Sequence, residues 1–277
     1  MIFIELLKVI LLGIVEGITE WLPVSSTGHM ILVDAFVKLD VSSQFLALFL
    51  VVIQIGAIMA VIILYFTKLN PFSRKKTREE RKGTWRLWGM VLIGCIPAAI
   101  VGLLLDDWVN AHLYRPSVVA AMLILYGIVF IIMETRNRRR LADALAATGT
   151  RGRHARKPAS PEDAAQSLFR INHVEGIDAK TALKVGCFQC LAIVPGTSRS
   201  GAIIIGSMLV GVSRTAAAEF AFFLAIPVML GWGLVKVVKF LAAGLVMSQL
   251  EIVVLVVGVI TAFIVSVLSI RFLMGYI

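Results

Sequence analysis

Glu16 and Glu20 are the first residues of this chain whose types and spacing could do chemistry. Four positions apart, they share one face of a helix. The surrounding segment is apolar and stops at Pro23, so both acids lie near the negative end of the helix dipole. An ionised carboxylate in a membrane helix costs about 2.5–3.5 kcal/mol, and like charges at this spacing repel. Three penalties in one place predict a compensating cation. The alternative is a pair of glutamates turned towards lipid headgroups. Paired carboxylates suit a hard divalent cation, Mg2+ or Ca2+.

Five residues after Glu20 stands Ser25-Ser26-Thr27-Gly28-His29. Hydroxyl residues at a helix start act as N-caps, and the free N–H groups behind them form an anion site. Ser25, Thr27 and Gly28 are therefore candidate substrate-binding residues. Ser26 or His29 could attack phosphorus, and His29 could instead move protons near neutral pH. The bland alternative is a capped helix with a surface histidine. Pro195-Gly196-Thr197-Ser198-Arg199-Ser200-Gly201 repeats the pattern of proline, turn and hydroxyl caps. Thr197, Ser198 and Ser200 join the candidate anion site. Arg199 at a helix N-terminus sets one positive feature on another; a bound phosphate, held by paired hydrogen bonds, resolves that conflict. A structural ion pair with Glu16 or Glu20 is the other explanation. Together the set suits phosphoryl transfer, where positioning and charge stabilisation dominate.

The elements that must position these residues are membrane helices. Hydrophobic residues make up 59% of the chain and charged ones 16%, and mean hydropathy is +0.91. Spans of about 20 apolar residues cross a bilayer. Phe45–Phe66, Leu87–Leu105, Ser117–Met133, Ala216–Val235 and Ile252–Ile270 qualify. No alternation of period two suggests a barrel. The fold class expected is an all-α polytopic membrane protein, one membrane domain over 1–277 with about five to six transmembrane helices.

Ile2–Leu22 and a helix from about Ser25 to Val37 are each poor spans, and the turn between them reads as the tip of a re-entrant hairpin. Ala182–Val194 and Ala202–Val210 flank a second such tip. A long span follows each hairpin, F-L-A-L-F-L from Phe45 and F-A-F-F-L-A from Phe220. The chain thus divides into repeat one, about 1–134, and repeat two, about 180–277. Residues 136–167 read as a flexible basic cytoplasmic insert, with a helix start at Ser160-Pro161-Glu162-Asp163.

The formal charge of +10 concentrates in two loops, Lys68–Arg86 and Arg136–Lys180. Basic loops mark the cytoplasmic side, and the two spans between them return the chain to that side. Lipid headgroups, not nucleic acid, are the expected partner of this charge. The first hairpin then enters from outside and the second from the cytoplasm, giving an inverted-topology repeat whose broken helices meet near the midplane. Cys187 and Cys190 form a lone C-x-x-C without a second ligand pair, so the cysteines read as structural. The N-terminus lacks the pattern of a cleaved signal peptide.

At these motifs the chain resembles the undecaprenyl-diphosphatase, or bacitracin-resistance, family. Glu16-Gly17-Ile18-Thr19-Glu20-Trp21-Leu22-Pro23-Val24-Ser25-Ser26-Thr27-Gly28-His29 is similar to its first signature, and Pro195–Gly201 to its second. Gln54-Ile55-Gly56-Ala57, Gly186–Ala192 and Gly211-Val212-Ser213-Arg214 also fit. The resemblance implies hydrolysis of undecaprenyl diphosphate to the monophosphate with a divalent cation. It further implies recycling of the lipid carrier for cell-wall synthesis, bacitracin resistance, and a multi-pass protein of the bacterial inner membrane whose site opens to the periplasm. Glu16 and Glu20 would be the acidic, metal-holding pair, Ser26 and His29 the nucleophile or acid–base candidates, and Arg199 the phosphate clamp. Two features depart from the family pattern. Leu50 stands where an acid is frequent, and the chain ends at Ile277 where relatives usually carry one more helix. The partner expected is a polyprenyl diphosphate lipid, and a homodimer is left open. A transporter or flippase of a phosphorylated lipid is the rival reading, since inverted repeats serve transport too. A non-enzymatic lipid-anchored scaffold is a weaker third.

Overall fold

A computed structural model of the chain describes residues 2–113, 115–150, 167–244 and 246–276. Among them the regular structure is helical, with one isolated bridge between Ile171 and Val212. Polar caps set the helix starts. After α1 (Ile2–Thr19), Ser25 Oγ accepts from Gly28 N at 3.4 Å and opens α2 (Ser26–Val37). Ser42 opens α3 (Ser43–Leu64), followed by the short α4 (Phe66–Leu69). Thr77 and Glu80 form a reciprocal capping box on α5 (Arg78–His112), and α6 (Pro116–Thr150) follows. Asp178 caps α7 (Ala179–Gln189), which tightens into a 3-10 turn at Cys190–Ile193. Ser198 caps α8 (Arg199–Leu209), Ser213 caps α9 (Arg214–Ala242), and α10 (Gln249–Tyr276) ends the chain.

Among the described residues, five helices are long and apolar enough to cross a bilayer, within Ser43–Leu64, Arg78–Leu105, Ser117–Asp143, Arg214–Ala242 and Gln249–Tyr276. They coincide with the five spans read from the sequence. One boundary differs. The expected insert begins at 136, yet α6 stays helical to Thr150. Its Arg-, Leu- and Ala-rich stretch is made of strong helix formers, so the helix runs on past the apolar span. Residues 151–166, with the helix start expected at Ser160–Asp163, lie outside the described residues.

Ion pairs and hydrogen bonds fix which helix ends lie together. Lys68 Nζ reaches Glu219 at 2.8 Å and Glu175 at 2.7 Å. Burial disfavours the Lys68 ammonium, but its hydrogen bonds to Glu175 and Glu219 outweigh that and raise its pKa. The C-terminal end of α3 and the N-terminal ends of α7 and α9 therefore share one end of the bundle, and α3 and α9 run antiparallel. Arg170 N donates to Gly211 O at 2.9 Å and closes the mouth of the α7–α8 hairpin at that same end.

At the opposite end, Glu251 accepts from Ser42 N at 3.2 Å and from Ser42 Oγ at 2.7 Å. There Glu5 accepts from Asp40 N at 3.0 Å, and Lys8 Nζ donates to Lys38 O at 2.8 Å, closing the mouth of the α1–α2 hairpin. The two hairpins thus enter the bundle from opposite ends.

Helix contacts pair off in the same way. α1 packs on α10 and α7 packs on α5, while α3 and α9 pack on each other in the centre. Each outer contact is made at a glycine. A Cβ at Gly13 would lie 2.7 Å from Thr261 Cβ, and one at Gly186 2.3 Å from Gly94 O. The core around the α3–α9 contact is aromatic: Trp21 meets Phe222 edge-on at 5.2 Å, and Tyr65 meets Phe223 at 5.2 Å. Ile124, Ile128, Ile131 and Ile132 of α6 are exposed, as a lipid-facing helix requires.

Gly186→Ala is expected to lower the stability of the detergent-solubilised protein by about 1–3 kcal/mol, because backbone blocks the added methyl. Gly83→Ala, where nothing lies within 4 Å of the added Cβ, is the control and is expected to be neutral or better. Thermal unfolding of the two variants side by side checks the difference; equal midpoints would mean α5 and α7 are not in tight contact.

Candidate active site

The tips of the two hairpins meet. Ser200 Oγ donates to Glu20 O at 3.1 Å and lies 3.2 Å from Leu22 O, so the second tip is hydrogen-bonded to the backbone of the first. Above this seam Arg199 Nη2 donates to Glu20 Oε1 at 2.7 Å. Glu20 Oε2 accepts a hydrogen bond from Ser26 Oγ. One carboxylate therefore joins the guanidinium of α8 to the hydroxyl that begins α2. All three side chains are largely buried.

Glu16, one turn before Glu20, has no solvent exposure, and neither of its carboxylate oxygens has a hydrogen-bond partner among the described residues. It lies within electrostatic reach of Glu20 and Arg199. The side chains predicted as an acidic pair are thus different in kind. Glu20 is fully engaged by Arg199 and Ser26, whereas Glu16 is buried and unmatched. Arg199 also keeps Nη1 buried and unpartnered.

The backbone holds this arrangement under strain at one point. Ser25 has φ 65° and ψ 95°, a conformation that costs a non-glycine residue about 1–3 kcal/mol. It is retained where Ser25 both caps α2 and, through its carbonyl, receives His29 Nδ1 at 2.8 Å. If Nδ1 donates to that carbonyl, the lone pair of the imidazole is on Nε2, ready to take a proton. In the second tip Gly196 takes φ 90°, and its missing Cβ lets the turn lie against Val119 of α6, whose carbonyl oxygen would be 2.7 Å away.

The remaining expected residues take supporting places. Ser198 Oγ accepts from Gly201 N at 3.1 Å and lies 3.1 Å from Ser200 Oγ. Thr27 and Gly28 fill the first turn of α2, where backbone N–H groups face the tip. Thr197 is buried and meets Tyr126 of α6. The structure thus gathers Glu16, Glu20, Ser26 and Arg199 around one seam. Trp21 and Gln189, not singled out from their types, are also buried with side-chain polar atoms that lack partners. The signal that could have found Gln189 is its place in the second hairpin, matching Glu16 in the first.

For a divalent cation the fit rests on Glu16. No group of three or more His, Cys, Asp or Glu side chains suited to a metal occurs among the described residues. One or two carboxylates, with phosphate oxygens and water completing the shell, is the usual donor set for Mg2+. Glu16, an unmatched buried carboxylate beside the hairpin tip, is a donor of that type.

A family model described as "Bacitracin resistance protein BacA" matches residues 9–277. A protein of Enterococcus faecalis named undecaprenyl-diphosphatase is 51% identical over 276 residues, covering 100% of this chain and 90% of the relative. One of the same name from Lactiplantibacillus plantarum is 48% identical over 274 residues, 99% of this chain and 90% of its own. Another, from Desulfitobacterium hafniense, is 49% identical over 278 residues, 100% and 89% respectively.

Proposed function

The chain belongs to the bacitracin resistance protein BacA family, and from that premise we propose that the seam between its hairpin tips is where undecaprenyl diphosphate is hydrolysed. The protein is an enzyme, an undecaprenyl-diphosphatase of the membrane, releasing inorganic phosphate and leaving the lipid monophosphate. The observation that carries the placement is the chain of contacts from Arg199 through Glu20 to Ser26, with the unmatched Glu16 beside it. The same product recycles the lipid carrier for cell-wall synthesis.

The reaction needs a nucleophile, a clamp and a proton path. Ser26 is positioned to be the nucleophile, because its hydroxyl already donates to a carboxylate. As its oxygen bonds to the terminal phosphorus, the proton passes to Glu20 and the P–O–P bond breaks, the bridging oxygen leaving with the lipid. Water, deprotonated by His29 Nε2, then releases phosphate from Ser26. Arg199 turns from Glu20 to the terminal phosphoryl group, and N–H groups of the α2 and α8 first turns add further donors. A divalent cation held at Glu16 would neutralise charge on the diphosphate oxygens.

The orientation follows from charge. The end of the bundle at Lys68 carries the basic loop Lys68–Arg86 and the start of α7, so it faces the cytoplasm. The α1–α2 hairpin enters from the other end, and the site opens to the outer face.

The test is phosphate release from a polyprenyl diphosphate in detergent. Hydrolysis by the intact protein is expected, and its absence under Mg2+ and Ca2+ alike would sink the enzyme reading in favour of transport. His29→Gln is expected to slow release about 10²-fold. An unchanged rate would take His29 out of the proton path and leave the reaction class standing.

A further inference from the structure

Key positions of the two hairpins recur at a constant spacing of 173, with Gly13 and Gly186, Ser25 and Ser198, and Gly28 and Gly201 falling in register. Gly13 and Gly186 are the glycines at which α1 and α7 touch α10 and α5. Ser25 and Ser198 are the caps of α2 and α8, and Gly28 and Gly201 are the residues whose N–H groups they accept. These pairs are equivalent in structure as well as in number, and the hairpins that carry them enter from opposite ends. The same spacing pairs Ser26 with Arg199 and Glu16 with Gln189.

Gln189 is only 2% exposed, and neither Oε1 nor Nε2 has a hydrogen-bond partner among the described residues. A buried carboxamide left so costs about 1–3 kcal/mol, and surrounding lipid cannot satisfy it. Glu16 of the first hairpin lies within electrostatic reach of Arg199 of the second. A two-fold relation between the hairpins would set Gln189 in the same relation to Ser26.

We propose that Gln189 is a further substrate-binding residue of the site, its carboxamide N–H donating to an oxygen of the terminal phosphoryl group as that group settles on Ser26. This rests on the reading of the hairpin seam as the diphosphate site. The two equivalent positions then divide the work by charge. The first hairpin carries a carboxylate that calls for a cation. The second carries a neutral amide that donates to the anion without adding a negative charge next to it. A glutamate at both positions would set a further carboxylate against the incoming diphosphate.

The test compares Gln189→Met and Gln189→Glu with wild type and Arg199→Ala, measuring KM and kcat for a polyprenyl diphosphate, inhibition by inorganic phosphate, and thermal unfolding. Gln189→Met removes the unpaired amide at similar volume. It is expected to unfold no earlier than wild type, to lose about 10–100-fold in kcat/KM, and to be inhibited less by phosphate. Gln189→Glu is expected to bind substrate poorly at high pH and to recover as the pH falls and the carboxyl gains a proton to donate. Wild-type kinetics in both variants would overturn the proposal. So would a loss confined to unfolding temperature, with KM and phosphate inhibition unmoved, because a packing role predicts that result. Retained hydrolysis in Arg199→Ala would instead overturn the underlying site assignment, and so separates the two failures.

Discussion

Arg199→Ala should lower hydrolysis by about 10³-fold or more, with the protein destabilised by the loss of its pair with Glu20 but still folded. An arginine that meets charge developing on a transferred phosphoryl group is worth about 10³–10⁵ in rate. Arg199 has the reach for this, since it is the one guanidinium bonded across the hairpin seam among the described residues, and its Nη1 is still unpartnered. Arg199→Lys is the sharper variant. It keeps the charge, and so the pairing with Glu20, but loses the planar fork that can hold two phosphate oxygens. It should therefore fold like wild type and recover only a small part of the rate. Full recovery by lysine would reduce Arg199 to a point charge that holds Glu20 in place. Steady-state phosphate release, with unfolding followed in parallel, distinguishes the two.

Much of the architecture was legible because lipid is an unforgiving solvent. Five apolar runs of bilayer length could only be spans, and each found its helix. The hairpins were legible for the opposite reason, since Glu16, Glu20 and Pro23 interrupt what would otherwise be a comfortable span. The meaning of Glu16 against Glu20 was not. Identical side chains one turn apart give identical sequence signals, and only the packing of α8 decides which one Arg199 engages. Gln189 escaped notice because a glutamine in an apolar helix carries no charge penalty to account for. The end of α6 was misplaced because loss of hydropathy marks where lipid stops, which is a different event from the end of a helix. Arg136–Arg140 continue as helix beyond the apolar run.

The contrast between the two glutamates yields the strongest separable expectation. Glu16→Gln should leave folding intact or improve it, because it removes an ionisable group whose oxygens have no partner. It should nonetheless lose about 10²-fold or more in hydrolysis and lose its response to divalent cations. Wild type, by contrast, should gain unfolding temperature as Mg2+ or Ca2+ is added, since a ligand that binds only the folded state stabilises it by mass action. A chelator should remove both that gain and the activity. Glu20→Gln should behave differently on every count. It breaks a buried pair and leaves Arg199 without its counter-charge, a change that costs about 3–5 kcal/mol, and it deprives Ser26 of its acceptor. Stability would then fall together with the rate. If Glu16→Gln keeps both cation-dependent stabilisation and hydrolysis, the cation is held elsewhere and the unmatched carboxylate has another purpose. If Glu16→Gln unfolds as readily as Glu20→Gln, Glu16 is a partner of Arg199 in its own right, and the division of labour between the two acids fails.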